Sequence, residues 1–115
     1  MERAIDGVGL AVEGIGHLHG SELPMDLTAA GAGRMAFTSR EPIGPVVTIS
    51  AFNHALNLIV HQVAPAVAVG CAVIVKPADD TPLSARAFFE ILIEAGLPEE
   101  WCAFFPSTYR PQKNS

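Results

Sequence analysis

The stretch VVTISAFNHALNLIVHQVAPAVAVGCAVIVKP, residues 46–77, decides the fold of this chain. It contains two short runs of β-branched, apolar residues, 46–50 and 72–75, which are typical of strands buried on both faces. Between them, residues 56–69 repeat apolar side chains at intervals of three and four, which predicts a helix that ends at Gly70. Because Pro65 has no N–H donor, we expect it to kink this helix or to leave one carbonyl free.

The sequence beyond residue 77 continues the alternation of strand and helix. Thr81 is a suitable N-cap and Pro82 suits the first helical position, so we expect a helix that begins there and ends at Gly96. Residues 101–105 predict a third strand. The order β-α-β-α-β predicts an α/β fold, namely a partial Rossmann-like parallel sheet, or half of a doubly wound nucleotide-binding domain.

The residues before this unit predict a helix followed by a looser, extended segment. Apolar residues recur with helical spacing between Arg3 and Leu18 and form one helical face. That face consists of Ile5, Val8, Val12 and Ile15. Because several glycines weaken this helix, we expect it to form against a partner surface. A short strand is predicted near Glu22-Leu23, and an exposed, extended strand is predicted over residues 34–40.

Composition indicates one folded domain with an excess of apolar residues. The chain has 115 residues, of which 50% are hydrophobic and 17% are charged, so it does not resemble a disordered chain. A domain of this size buries only part of its surface, so we expect some apolar surface to meet another domain or subunit. We divide the chain into a helix-plus-loop segment (1–40), a partial dinucleotide-binding domain (41–105) and a divergent, polar tail (106–115).

Several classes of function and site are disfavoured by the sequence. The net charge of −5, with only two lysines, argues against a nucleic-acid partner. Residues 55–75 are as long as a membrane span, but asparagine, histidine, glutamine and proline interrupt them, so we expect no span. The four histidines lack the spacing of metal ligands, which predicts no metal site. Cys71 and Cys102 lie in or beside predicted strands and indicate structural thiols in a reducing, cytoplasmic compartment.

Polar residues follow the first two strands of the predicted sheet, where ligands bind in this type of fold. The amide of Asn53 is suited to stabilising an oxyanion, or else Asn53 is simply a turn or cap residue. The ammonium of Lys76 is suited to ribose hydroxyls or phosphate, or else it is simply solvated. Asp79 and Asp80 are suited to accepting hydrogen bonds from a ribose, or else to favouring the N-terminus of the next helix.

A series of motifs in a fixed order resembles the aldehyde dehydrogenase superfamily. These motifs are Arg40-Glu41-Pro42-Ile43-Gly44, Ser50-Ala51-Phe52-Asn53, Val63-Ala64-Pro65-Ala66, Val75-Lys76-Pro77, Thr81-Pro82-Leu83 and Glu94-Ala95-Gly96-Leu97-Pro98. The resemblance covers residues 40–105 closely and residues 3–39 more loosely. So many motifs at consistent spacing make chance agreement a poor explanation.

The resemblance implies oxidation of an aldehyde to an acid or acyl thioester with NAD or NADP, through a cysteine thiolate and a glutamate base. By position, Asn53 matches the asparagine whose amide stabilises the oxyanion. Lys76 matches the lysine that contacts the adenosine ribose, and Asp79 stands where many members have a ribose-binding glutamate. The remaining positions that match cofactor contacts are Ile49, Ser50, Ala51, Phe52 and Pro77.

The chain also departs from the pattern of the superfamily. His54 and Ala55 replace the aromatic residue and proline that usually follow the asparagine, which is expected to alter the substrate tunnel. Asp79 is one methylene shorter than glutamate, so the choice between NAD and NADP stays open. The superfamily's second glycine-rich turn, its glutamate and its nucleophilic cysteine come after the point where this chain stops.

Two functional expectations follow from the resemblance and its departures. The first is a fragment of an NAD(P)-dependent aldehyde dehydrogenase that holds the start of the cofactor domain and is inactive alone. The alternative is a non-catalytic interaction or oligomerisation module that associates with itself or with a full-length homologue. The extended strand before residue 41 matches a segment that helps form the oligomer interface in the superfamily. An aldehyde is the expected substrate of the full-length enzyme.

Overall fold

The computed structural model describes residues 1–105, and the predicted tail over 106–115 lies outside the described residues. The elements are helix α1 (Glu2–Ile15), strands β1 (Glu22–Leu23), β2 (Ala36–Phe37) and β3 (Val46–Ile49), helix α2 (Ala55–Ala68), strand β4 (Val73–Lys76), helix α3 (Pro82–Glu94), a 3-10 turn (Glu99–Trp101) and strand β5 (Cys102–Phe104). The predicted β-α-β-α-β order and α/β class are confirmed.

Strands β3, β4 and β5 form a three-stranded parallel sheet in that spatial order. Ile49 at the end of β3 is the register partner of Lys76 at the end of β4. Val73 at the start of β4 pairs with Cys102 at the start of β5. The carboxyl ends of β3 and β4 therefore lie side by side at one edge of the sheet.

Helices α2 and α3 pack on the sheet and enclose the apolar core. The buried core consists of Ala4, Ile59, Val60, Val63, Ala66, Cys71, Val73, Val75, Ala85, Phe88 and Phe89. The ring of Phe89 meets the ring of Phe104 edge-on, with centroids 6.2 Å apart, and so joins α3 to β5. In β3, Val47 and Ile49 alternate with the buried Thr48 and are 63% and 68% exposed. Among the described residues, the sheet is therefore well covered on one face and open on the other, whereas parallel sheets are ordinarily covered on both.

Helix α1 packs on α2, but the face in contact is not the apolar face identified in the sequence. All four residues of that apolar face remain exposed: Ile5, Val8, Val12 and Ile15. The face nearest α2 instead carries small residues, with Ala4 buried and Gly7, Ala11 and Gly14 half-buried. A Cβ atom on Gly7 would lie 3.3 Å from Cγ1 of Val60. The helix thus forms against a partner surface, as expected, because its glycines allow the two backbones to approach closely.

Helix α2 includes Pro65 and ends beyond it. Because Pro65 has no N–H, the carbonyl of His61 lacks its usual helical donor. The end of the helix is closed by Val69 N, which donates to Pro65 O at 3.2 Å, and by Cys71 N, which donates to Ala66 O at 2.9 Å. Gly70 has a φ of 85°, a conformation that glycine adopts without strain, and it ends the helix as predicted.

Strands β1 and β2 form a two-stranded antiparallel arm, with Leu23 opposite Ala36. The predicted strand over residues 34–40 is therefore confirmed only in its centre, at Ala36–Phe37. Phe37 and Met35 in this arm are largely exposed.

The radius of gyration is 19.8 Å, against about 13 Å for a compact chain of this length. No helix within residues 1–105 is long and apolar enough to span a membrane.

Candidate functional site

The parallel pairing of β3 and β4 brings together two of the segments singled out in the sequence. Beyond the register pair Ile49 and Lys76, the backbone N–H of Ser50 donates to the carbonyl of Lys76 at 3.0 Å. Segment 49–52 and segment 76–79 therefore leave the sheet next to each other. We call this region, residues 49–53 and 76–79, the carboxyl edge.

Lys76 and Asp79 form an ion pair at the carboxyl edge. Nζ of Lys76 lies 3.1 Å from Oδ1 of Asp79, and it also donates to the carbonyl of Pro77 at 3.3 Å. The side chains of Lys76 and Asp79 are 43% and 36% exposed, so solvent screens the pair and its contribution to stability is at most about 1 kcal/mol. The pair holds an ammonium and a carboxylate together at the surface, where both remain accessible to a ligand.

Ser50 belongs to the carboxyl edge, and Gln62 on α2 contacts this edge from the adjacent helix. Ser50 is buried, and its hydroxyl oxygen has no hydrogen-bond partner among the described residues. Gln62 on α2 donates from Nε2 to the carbonyl of Ile49 at 3.1 Å and so ties the helix to the end of β3. This role of Gln62 was not predicted from the sequence. Its only signal was a polar side chain within a mostly apolar helix.

Asn53 lies in the exposed turn between β3 and α2. The N-cap of α2 is the next residue, His54, and no side chain caps the helix. The sequence left open whether Asn53 is a turn residue or a helix cap. The structure places Asn53 in a turn, and the prediction of a capping role is wrong. His54 adopts a left-handed conformation with φ of 54°, which is strained for a residue with a side chain. Ala51 and Phe52 precede this turn and are exposed, whereas Pro77 is fully buried.

A groove of about 580 Å³ lies between the first turns of α1 and α2. Arg3 lines one side of this groove, and His54 and Asn57 line the other. Oδ1 of Asn57 is buried and has no donor among residues 1–105. We call this region the interhelical groove. His54 departs from the superfamily's pattern in the sequence, whereas Arg3 carries no such signal, because the proximity of the two residues depends on how α1 packs on α2.

Comparison with known proteins decides the family. The model of the aldehyde dehydrogenase family matches residues 1–111. The chain belongs to this family. It is similar to 3-sulfolactaldehyde dehydrogenase of Priestia aryabhattai, with 38% identity over 99 residues that cover 86% of this chain and 21% of that enzyme. The chain therefore spans about a fifth of the length of this aldehyde dehydrogenase.

Solved aldehyde dehydrogenases share both fold and sequence with the chain. Aldehyde dehydrogenase 21 of Physcomitrella patens, solved with the reaction product succinate, is 40% identical, with a TM-score of 0.87 over 93% of this chain and 22% of that one. The NADP-dependent glyceraldehyde-3-phosphate dehydrogenase of Bacillus halodurans, solved with NADP, is 34% identical, with a TM-score of 0.83 over 90% and 22%. Solved structures that are similar to the chain include complexes with NADP and a complex with nicotinamide adenine dinucleotide.

Neither cysteine of this aldehyde dehydrogenase chain has the surroundings of a nucleophile. Cys71 is buried, and Cys102 is half-buried at the start of β5. Burial raises the pKa of the Cys102 thiol above its ordinary value of 9.0, so Cys102 is a neutral thiol near pH 7. No group of three or more histidine, cysteine or carboxylate side chains within residues 1–105 is arranged to hold a metal ion.

Proposed function

We propose that residues 41–105 form the start of the cofactor-binding unit of an NAD(P)-dependent aldehyde dehydrogenase. The observation that carries this proposal is the carboxyl edge, where the ends of two parallel strands bring segment 49–52 beside Lys76 and Asp79. In parallel α/β sheets, ligands bind beyond the carboxyl ends of the strands. The two unpaired cysteines fit a reducing compartment, which supports a cytoplasmic setting.

The chemistry of the carboxyl edge suits the adenosine half of the cofactor. The carboxylate of Asp79 accepts hydrogen bonds from ribose hydroxyls, and the ammonium of Lys76 donates to the same hydroxyls. The buried hydroxyl of Ser50 has no hydrogen-bond partner in the described part of the chain, whereas buried polar groups are ordinarily paired. When bound, NAD(P) supplies the acceptor for the hydride that leaves the aldehyde.

Asn53 is proposed to stabilise the oxyanion formed when the aldehyde carbonyl is attacked. Its side chain lies in an exposed turn and makes no hydrogen bond within residues 1–105, so its amide N–H is free to donate. A preorganised amide donor aimed at a developing negative charge is a large contributor to catalysis, worth about 3 kcal/mol in transition-state stabilisation. The nucleophile and the general base are expected from parts of the family fold that this chain does not match.

We further propose that the aldehyde carries an anionic group. Three similar proteins have names or bound products that contain such a group, namely a sulfonate in 3-sulfolactaldehyde, a carboxylate in succinate and a phosphate in glyceraldehyde 3-phosphate. These anions differ in shape but share negatively charged oxygens. A site that recognises such oxygens requires a cationic or N–H-rich wall.

Calorimetric titration of the 115-residue chain with AMP and NAD tests the cofactor proposal. Lys76→Ala is expected to weaken binding about fivefold, which corresponds to the loss of one partly exposed charged hydrogen bond. Arg86→Ala is the control, because Arg86 forms an ion pair with Glu90 on α3 that is more exposed and lies outside the carboxyl edge. Equal affinities for the two variants would contradict the proposal. Aldehyde oxidation by the isolated chain is expected to be undetectable.

A second candidate function is an interaction module that pairs with another copy of the chain or with a full-length homologue. The observation that favours it is the open sheet face at Val47 and Ile49, together with the exposed apolar face of α1. Large exposed apolar patches mark protein contact sites. Size-exclusion chromatography with light scattering tests this second function. If the chain is such a module, it is expected to elute as a dimer or a larger species. A single monomeric peak across the accessible concentration range would rule out self-association.

A further inference from the structure

We propose that the outer edge of β3 pairs with the β3 strand of a second copy of the chain, so that the two parallel sheets join into one. The two β3 strands run antiparallel about a two-fold axis at Val47. The inference rests on the second candidate function, and it names the backbone groups through which two copies meet. It is independent of cofactor binding at the carboxyl edge.

Strand β3 carries backbone groups that point away from β4. The N–H groups of Val46 and Ser50 donate to the segment that contains β4, at 2.8 and 3.0 Å. Because a trans peptide is planar, the carbonyl that precedes each of these N–H groups faces the opposite way, which directs the carbonyls of Pro45 and Ile49 outward. The direction of backbone groups alternates along a strand, so both backbone groups of Val47 and the N–H of Ile49 also point outward.

These outward groups are open to a further strand. Within the described residues, β3 lies at one end of the parallel sheet. Of the outward groups, only the carbonyl of Ile49 has a partner within residues 1–105, namely Nε2 of Gln62 at 3.1 Å. Pro45, Val47 and Ile49 are all exposed. An open strand edge of this kind is a template for pairing with another chain.

The outer edge is self-complementary when Val47 of one copy lies opposite Val47 of the other. The two valines then exchange N–H to carbonyl hydrogen bonds, and the N–H of each Ile49 donates to the Pro45 carbonyl of the other copy. Proline has no N–H to donate in return, but the Ile49 carbonyl opposite it is already bonded to Gln62. A register shifted by two residues places Val47 opposite Pro45 or Ile49 and loses the exchanged bonds. Pro45 and Gln62 therefore select the register that is centred on Val47.

The composition of this edge also favours pairing between copies. Residues 42–53 contain no Asp, Glu, Lys or Arg, whereas natural edge strands often carry charges that prevent such pairing. Side chains directly opposite each other in paired strands share one face, so the pairing extends the open apolar face of β3 across both copies. The strand at the other end of the sheet, β5, follows Glu99 and Glu100, whose negative charges oppose the approach of a second copy.

Amide hydrogen exchange of the ¹⁵N-labelled 115-residue chain at low and high concentration tests the pairing. Exchange at Val47 and Ile49 is expected to slow by about tenfold or more at high concentration, because their N–H groups become bonded between copies. Val46 and Ser50 are the internal control, since they already donate to the β4 segment and are expected to exchange slowly at both concentrations. Light scattering on the same samples is expected to show the mass of a dimer at high concentration.

Val47→Pro separates the edge from the face, with Val47→Ala as the matched control. Proline removes the outward N–H at the two-fold axis without removing a bond to β4, and strands tolerate proline where the N–H faces solvent. Val47→Pro is expected to raise the dissociation constant of the dimer about thirtyfold, through loss of the exchanged bonds. Val47→Ala keeps the N–H and is expected to raise it only about threefold.

Two kinds of result would overturn the inference. A chain that stays monomeric at every concentration rejects the edge pairing and the self-association of the second candidate function together. A dimer in which Val47 and Ile49 exchange as fast as in the monomer rejects the edge pairing alone and leaves the open sheet face as the contact. Equal dissociation constants for Val47→Pro and Val47→Ala lead to the same rejection. The exchange measurement uses the unsubstituted chain, so it tests the pairing even where Val47→Pro does not fold.

Discussion

Gly7 and Gly9 lie two residues apart in α1, yet their surroundings differ. A Cβ atom on Gly7 would lie 3.3 Å from Val60, whereas at Gly9 no atom lies within 4 Å. Gly9→Ala is therefore expected to stabilise the chain by up to about 1 kcal/mol, because alanine favours the helix. Gly7→Leu is expected to destabilise it by about 1–3 kcal/mol, because the added atoms force α1 away from α2. Urea unfolding measures both, and equal stability of the two variants would contradict the packing described.

The thiol of Cys102 is expected to lower the free energy of unfolding as the pH becomes alkaline. Since burial raises its pKa in the folded chain, the folded state holds the proton more tightly than the unfolded state. The resulting stabilisation is complete below the ordinary pKa of 9.0 and is lost as pH rises through the raised folded value. Cys102→Ala is expected to reduce this alkaline loss, as measured by urea unfolding at a series of pH values. Identical pH profiles for the two proteins would show that the thiol has no such role.

At the scale of elements, local sequence predicted the β-α-β-α-β unit because its signals agree with one another. Thr81 and Pro82 mark the start of α3, Gly70 marks the end of α2, and β-branched runs mark β3 and β4. The orientation of α1 was not predictable from periodicity, because its glycines allow close backbone approach on the face beside the apolar stripe. The hydrogen bond of Gln62 and the groove beside Arg3 also depend on contacts between distant segments, which a linear pattern does not encode.

The antiparallel arm formed by β1 and β2 depends on a glycine at its turn. A Cβ atom on Gly31 would overlap the carbonyl of Met25, so Gly31→Ala is expected to displace the backbone of the arm. Because the strands of the arm pair with each other and not with the parallel sheet, the parallel unit is expected to persist. Amide chemical shifts are expected to change over residues 20–40 and to stay unchanged in α2 and β4. Changes spread through the parallel sheet would contradict this independence.

At the scale of the whole molecule, the open sheet face is the expected surface for self-association. Val47 lies on this face, so Val47→Lys is expected to shift the chain toward the monomer, because a desolvated ammonium opposes apolar contact. Ile43→Lys is the control, since Ile43 is 90% exposed in the loop before β3 and lies outside the sheet. Light scattering over a concentration series measures the mass of each variant. Equal effects of the two substitutions would indicate non-specific association.

The central claim is that β3 and β4 build a nucleotide-binding edge in a chain that spans about a fifth of an aldehyde dehydrogenase. The most direct measurement is amide chemical-shift mapping of the ¹⁵N-labelled chain during titration with AMP. The shifts are expected to saturate and to cluster at residues 49–53 and 76–79, and Lys76→Ala is expected to require more AMP to reach the same shift. Shifts scattered over the surface, or confined to the arm at residues 20–40, would contradict it.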